Sequence, residues 1–65
     1  MMMEAATIRF IDQDTSDEAY VFIRYDESHV ALGLSLMSDG DMEVVLNKED
    51  ARRVLEALRL AVGES

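Results

Sequence analysis

The chain has no cysteine, no proline and no tryptophan, and only three glycines, one histidine and six basic residues among its 65. Each shortage excludes something. Without cysteine there is no disulfide, no thiolate nucleophile and no Cys-based zinc site. A single histidine, His29, rules out a two-His metal site within one chain. Gly33, Gly40 and Gly63 stand too far apart for a phosphate-binding glycine loop. No apolar run approaches the ~20 residues of a membrane-spanning helix. The start, Met1-Met2-Met3-Glu4, lacks the basic region and apolar core of a signal peptide. The expectation is a soluble, cytoplasmic protein with no membrane partner. No catalytic set is visible either. His29 falls on a hairpin rim beside Asp26 and Glu27, and the paired carboxylates fall on exposed turns, where nothing raises a pKa. The chain reads as a non-enzyme with no cofactor and no metal.

What the chain does have is acid. Its formal charge is −8. Residues 48–62 hold four bases and three acids, whereas the remainder holds two bases and eleven acids. Such a surface repels nucleic-acid phosphates and favours basic partners. The densest acid is in residues 12–18. Asp12, Asp14 and Ser16 imitate the first ligand positions of a calcium loop, but Asp17 stands where the tight turn needs glycine and Ile23 where a bidentate Glu is needed. A solvated turn with Asx-type hydrogen bonds is the expectation there.

The hydrophobic pattern gives four strands and a helix. Residues 6–11 alternate Ala6, Ile8 and Phe10 with Thr7 and Arg9, after a frayed start at residues 1–5. Residues 19–25 are apolar on both sides, Tyr20 and Phe22 facing one way and Val21, Ile23 and Tyr25 the other; such a strand has both faces covered. The turn at Asp26-Glu27-Ser28 has no glycine to fix its register, so the facing of this strand stays open. Residues 29–37 carry Val30, Leu32, Leu34 and Leu36 on one face and mostly small residues on the other, where another backbone can approach. Residues 41–46 follow. A two-residue Asp39-Gly40 turn would set Leu36 against Glu43, apolar against polar. A three-residue loop with a left-handed Gly40 pairs Leu36 with Met42, Leu34 with Val44 and Leu32 with Leu46.

Residues 48–62 form the helix. Asn47 is its N-cap, Asp50 supports it three residues on, and Gly63 is its C-cap. At 100° per residue, Ala51, Val54, Leu55, Leu58 and Val62 make an apolar stripe; Glu49 and Arg53, four apart on the polar side, form an expected ion pair. Leu60 is apolar on the polar side. The fold class is α+β: a four-stranded antiparallel meander and one C-terminal amphipathic helix packed on one sheet face, ββββα, in a single domain of 65 residues. So small a domain is marginal unless stapled or oligomeric.

In the order of its elements, with residues 42–58 as a strand ending Leu46-Asn47-Lys48-Glu49-Asp50 before an amphipathic helix, the chain resembles the ββββα fold of the single-stranded-DNA-binding transcriptional coactivators, relatives of the whirly proteins. The resemblance implies a dimer. It does not extend to that family's basic and aromatic sheet face, for which this sequence offers Arg9 and Arg24 amid acids, so binding of nucleic acid is disfavoured. The runs Leu34-Ser35-Leu36, Asp39 to Leu46 and Glu49 to Leu55 also resemble small bacterial proteins of unassigned function.

These features give a first functional expectation, a small acidic protein-interaction module acting as a homodimer, with Val21, Ile23, Ala31, Gly33 and Leu60 as candidate subunit or partner contacts. The alternatives are an immunity-like or antitoxin-like neutraliser of a basic protein, and a single-stranded nucleic-acid binder by analogy of fold.

Overall fold

A computed structural model describes residues 1–64. They form β1 (Met3–Ile11), β2 (Glu18–Tyr25), β3 (His29–Leu36), β4 (Gly40–Asn47) and α1 (Lys48–Val62). The strands make one antiparallel sheet in the order β1-β2-β3-β4. β1 starts three residues before its alternation becomes legible, because the register slips between Glu4 and Ala6 and the bulge hides the period. Of the residues expected to fray, Met3 and Glu4 are therefore paired, with Tyr25 and Arg24, and Met1 and Met2 lie before the strand.

Cross-strand rows define the two faces. Ile8, Val21, Leu34 and Met42 stand in one row; Ala6, Ile23, Leu32 and Val44 stand in the next. This face is apolar throughout. The opposite face carries the rows Thr7, Phe22, Gly33, Glu43 and Arg9, Tyr20, Ser35, Asp41. Val21 and Ile23 thus share the leucine face of β3, which the sequence left open.

Three turns hold the register. In the first, the Asp12 carboxylate accepts from the Thr15 backbone N–H at 2.8 Å and the Thr15 hydroxyl at 2.7 Å, an Asx-type closure as expected. In the second, Asp26 does what a glycine was sought for: its Oδ1 accepts from the backbone N–H of Ser28 at 2.9 Å and of His29 at 2.7 Å. In the third, Leu36 pairs with Gly40 across three residues, and Gly40 takes a left-handed φ of 88°. The loop length is as read from the sequence, but the register differs by two, so that Leu34 meets Met42 and Leu32 meets Val44. A shift of two keeps every side chain on its face.

The helix ends match their sequence signals. Asn47 Oδ1 accepts from the Asp50 N–H at 2.7 Å. Gly63 is left-handed, its N–H donating to the Leu60 carbonyl and the Glu64 N–H to the Arg59 carbonyl, a Schellman closure. Arg53 reaches back to Asp50 at 3.5 Å, rather than to Glu49 as the four-residue spacing suggested. The helix backbone lies near β4 and β3.

The packing is shallow. Among the described residues, Ala19 and Ala31 are the only hydrophobic side chains that are buried. The chain exposes 5348 Å², against about 4,200 Å² for a compact monomer of this mass. Its radius of gyration is 12.9 Å where a compact chain of this length has about 11 Å, and its dimensions are 34 × 33 × 15 Å. The helix packs on the β3–β4 side of the sheet through its first two turns, where Ala51 and Val54 are half-buried, and residues 55–62 are exposed.

Candidate functional site

At its centre the polar sheet face is covered by the chain's own side chains, while Ile11 and Val45 on its outer strands are exposed. The Phe22 ring lies on Gly33 so tightly that a Cβ there would sit 2.0 Å from the ring. Beside it, Arg24 on β2 reaches over β3 to Glu43 on β4 at 2.5 Å. Ala31, opposite Arg24, is 0% exposed. The small residues of β3 do not wait for another backbone. They make room for a ring and an ion pair from the neighbouring strands. Arg9 pairs with Glu18 at 2.5 Å, the Tyr20 hydroxyl donates to Glu18 at 3.0 Å, and the Ser35 hydroxyl donates to Asp41 at 2.6 Å. Both sheet arginines are thereby matched with acids.

The apolar face is open. Leu34, at the middle of the sheet, is 51% exposed, and Ile8, Phe10, Met42 and Val44 are likewise exposed. The helix stripe is equally bare: Val54 is half-buried near Leu46, but Leu58 is 58% exposed, and Leu55 and Val62 are exposed too. Sheet and stripe together form an extended hydrophobic surface of the kind that marks an interaction site.

The five candidate contacts separate on this frame. Val21 and Ile23 lie within the open face, half-buried between their neighbours. Ala31 and Gly33 lie buried on the opposite face. Leu60 is 79% exposed on the helix, off the stripe. The structure adds Ile8, Phe10, Leu34 and Met42 to the open face. The signal for all four is the alternation itself, which for Leu34 and Met42 also fits packing under the chain's own helix.

Titratable groups serve the turns. Hydrogen bonds from Ser28 and His29 backbone, and the nearby His29 ring at 3.4 Å, hold Asp26 below the usual carboxylate range. Hydrogen bonds from Thr15 do the same for Asp12. The Asp26 carboxylate is thus engaged in closing a turn, where it orders backbone rather than activating His29. An open trough of about 650 Å³ lies beside that turn, where the Lys48 ammonium sits 5.7 Å from the centre of the Tyr25 ring. Among the described residues no group of three or more His, Cys, Asp or Glu side chains is placed to hold a metal ion, and no helix is long and apolar enough to cross a membrane.

The ββββα layout agrees with the coactivator-like order of elements, and nothing further supports that resemblance. No protein-family model matches the chain, and neither a curated protein nor a solved structure is significantly similar to it.

Proposed function

We propose that the chain is a small acidic protein-interaction module that works as a homodimer. One observation carries this reading. The face built from alternating Leu, Val and Ile is left open at Ile8, Leu34, Met42 and Val44, while on the other face both arginines are matched by the chain's own acids. The surface in excess of a compact monomer is about 1,200 Å² per chain, and a standard interface buries about 800 Å² per partner. Sedimentation or light scattering from low to high micromolar concentration tests it. Twice the 7.3 kDa chain mass is expected, with a melting temperature that falls on dilution. A chain of single mass at every concentration, with a melting temperature that does not move, refutes it.

A second reading has its own observation. Asp12, Asp14 and Asp17 in the first loop, Asp39 in the third and Asp41 at the start of β4 lie at one end of the sheet, and the Ser38 hydroxyl ties the loops together by donating to Asp17. The one base facing them, Arg9, is paired with Glu18. This concentration of charge favours a basic protein as a client of the module, in the manner of a neutraliser. Retention of a basic partner at low salt and its loss at high salt is the expected behaviour. A pull-down with no salt-sensitive basic partner removes this reading. Nucleic acid stands last, since the sheet arginines are both neutralised; titration of labelled single-stranded DNA at low salt is expected to give no binding.

A further inference from the structure

We infer that in the dimer the exposed outer half of each helix lies across the apolar face of the other copy's sheet. The inference rests on the homodimer reading and specifies its geometry. Three observations support it. The first is the junction. Asn47 is at once the last residue of β4, paired with His29, and the N-cap of α1, with φ −73° and ψ 170°. No loop residue separates strand from helix, so the helix bearing is set by the strand. In this setting the helix packs near β3 and β4 and leaves Leu55, Leu58 and Val62 of its stripe exposed.

The second is length. Fifteen residues make a helix of about 22 Å, longer than the roughly 14 Å width of a four-stranded sheet. The outer half, residues 55–62, spans about 12 Å with its side chains exposed, enough to reach across most of a neighbouring sheet of the same size. The third is complementarity. The surplus surface consists of two apolar parts, the sheet face with Leu34 and Met42 and the helix stripe with Leu58 and Val62, each lacking a cover. A two-fold axis beside β4 satisfies both at once, because an isologous contact sets the stripe of each copy on the sheet of the other. The helix segment, alone in the chain in carrying more bases than acids, then lies over an acidic subunit.

The absence of native cysteine makes the test clean. One chain carries Leu58→Cys, a second, differently tagged chain carries Met42→Cys, and the two are mixed, unfolded, refolded and treated with a short bismaleimide. Both sites are exposed within the single chain, so neither change removes a buried side chain. A doubly tagged cross-linked product is expected, and Leu60→Cys in place of Leu58→Cys should give much less. A mixture of dimeric mass with no doubly tagged product overturns the exchange while leaving the homodimer standing. A mixture that is monomeric throughout overturns both. As an independent arm, Leu58→Asp should weaken self-association at least about tenfold, since a charge would enter an apolar contact. An unchanged dimer for that variant overturns the exchange.

Discussion

Alanine at Gly33 should destabilise the chain for a reason that a second substitution removes. Gly33 does not have a left-handed φ, so its backbone accepts any residue. What opposes a side chain is the Phe22 ring, three of whose carbons lie 2.0, 2.1 and 2.5 Å from the position of a Cβ. Ordinary carbon contact needs the ring to retreat by about 1.5 Å. That displacement forces Phe22 off its rotamer or lifts the ring from the strand, at a cost of about 1–2 kcal/mol. Against this, alanine in a strand gains about 0.5–1 kcal/mol over glycine in backbone entropy. The net loss for Gly33→Ala is about 0.5–1 kcal/mol. In a Phe22→Ala background the obstacle is gone, and the same change should stabilise by about 0.5–1 kcal/mol. The coupling energy between the two positions is then about 1–2 kcal/mol. Urea denaturation at one fixed protomer concentration measures it, since self-association adds a concentration term of its own. If Gly33→Ala costs the same in both backgrounds, the ring is not what fills the site and the account of the closed face fails.

The remaining predictions concern the turns and the cap. Gly40→Ala should cost about 1 kcal/mol from backbone strain alone, because φ is 88° and no atom lies within 4 Å of a Cβ there; Gly40→Asn should cost less, and denaturant midpoints distinguish them. Asn47→Ala should remove about 1 kcal/mol and reduce helical circular dichroism, whereas Asn47→Asp should preserve both. Asp12 and Asp26 have folded-state pKa values below the ordinary carboxylate range, so the stability they contribute is complete above that range and is lost as pH falls through their lowered values. Asp26→Asn keeps an acceptor for Ser28 and His29 but does not titrate. Its melting temperature should therefore fall less than that of the native chain between pH 5 and about pH 2, and an identical pair of curves would contradict the assignment.

Much of the fold was legible because its signals are local. Asn47 and Gly63 punctuate the helix, and both cap it as their chemistry dictates. Alternation gave the strand faces of β3 and β4 but not their register, since a pattern of period two fixes parity and cannot count in steps of two. Leu36 consequently meets Gly40 and not Met42. The start of β1 was hidden by a bulge. The facing of β2 was hidden because Tyr20 to Tyr25 are apolar on both sides; the residue that settles it, Asp26, acts through a side-chain bond to two backbone groups that no periodicity reveals. The functional surface was legible in kind but not in place. Small residues at Ala31 and Gly33 suggested an open flank, yet their smallness accommodates Phe22 and the Arg24–Glu43 bridge. The helix packs on β3 and β4 as expected, with Leu32, Leu36 and Leu46 half-buried, but Leu34, Met42 and Val44 of the same face stay exposed.

The junction of β4 and α1 makes the molecule a lever. One residue, Asn47, belongs to two rigid bodies, with no flexible chain between them to absorb a torsion. A rotation of only about 10° in the end of β4 swings the far end of a ~22 Å helix by about 4 Å, close to one strand spacing. Small changes in the twist of an edge strand, such as those that follow when another strand joins it, are thereby amplified into a displacement of the whole helix stripe. The sheet edge and the helix tip move as one mechanical unit, and strain applied at either is felt at the other.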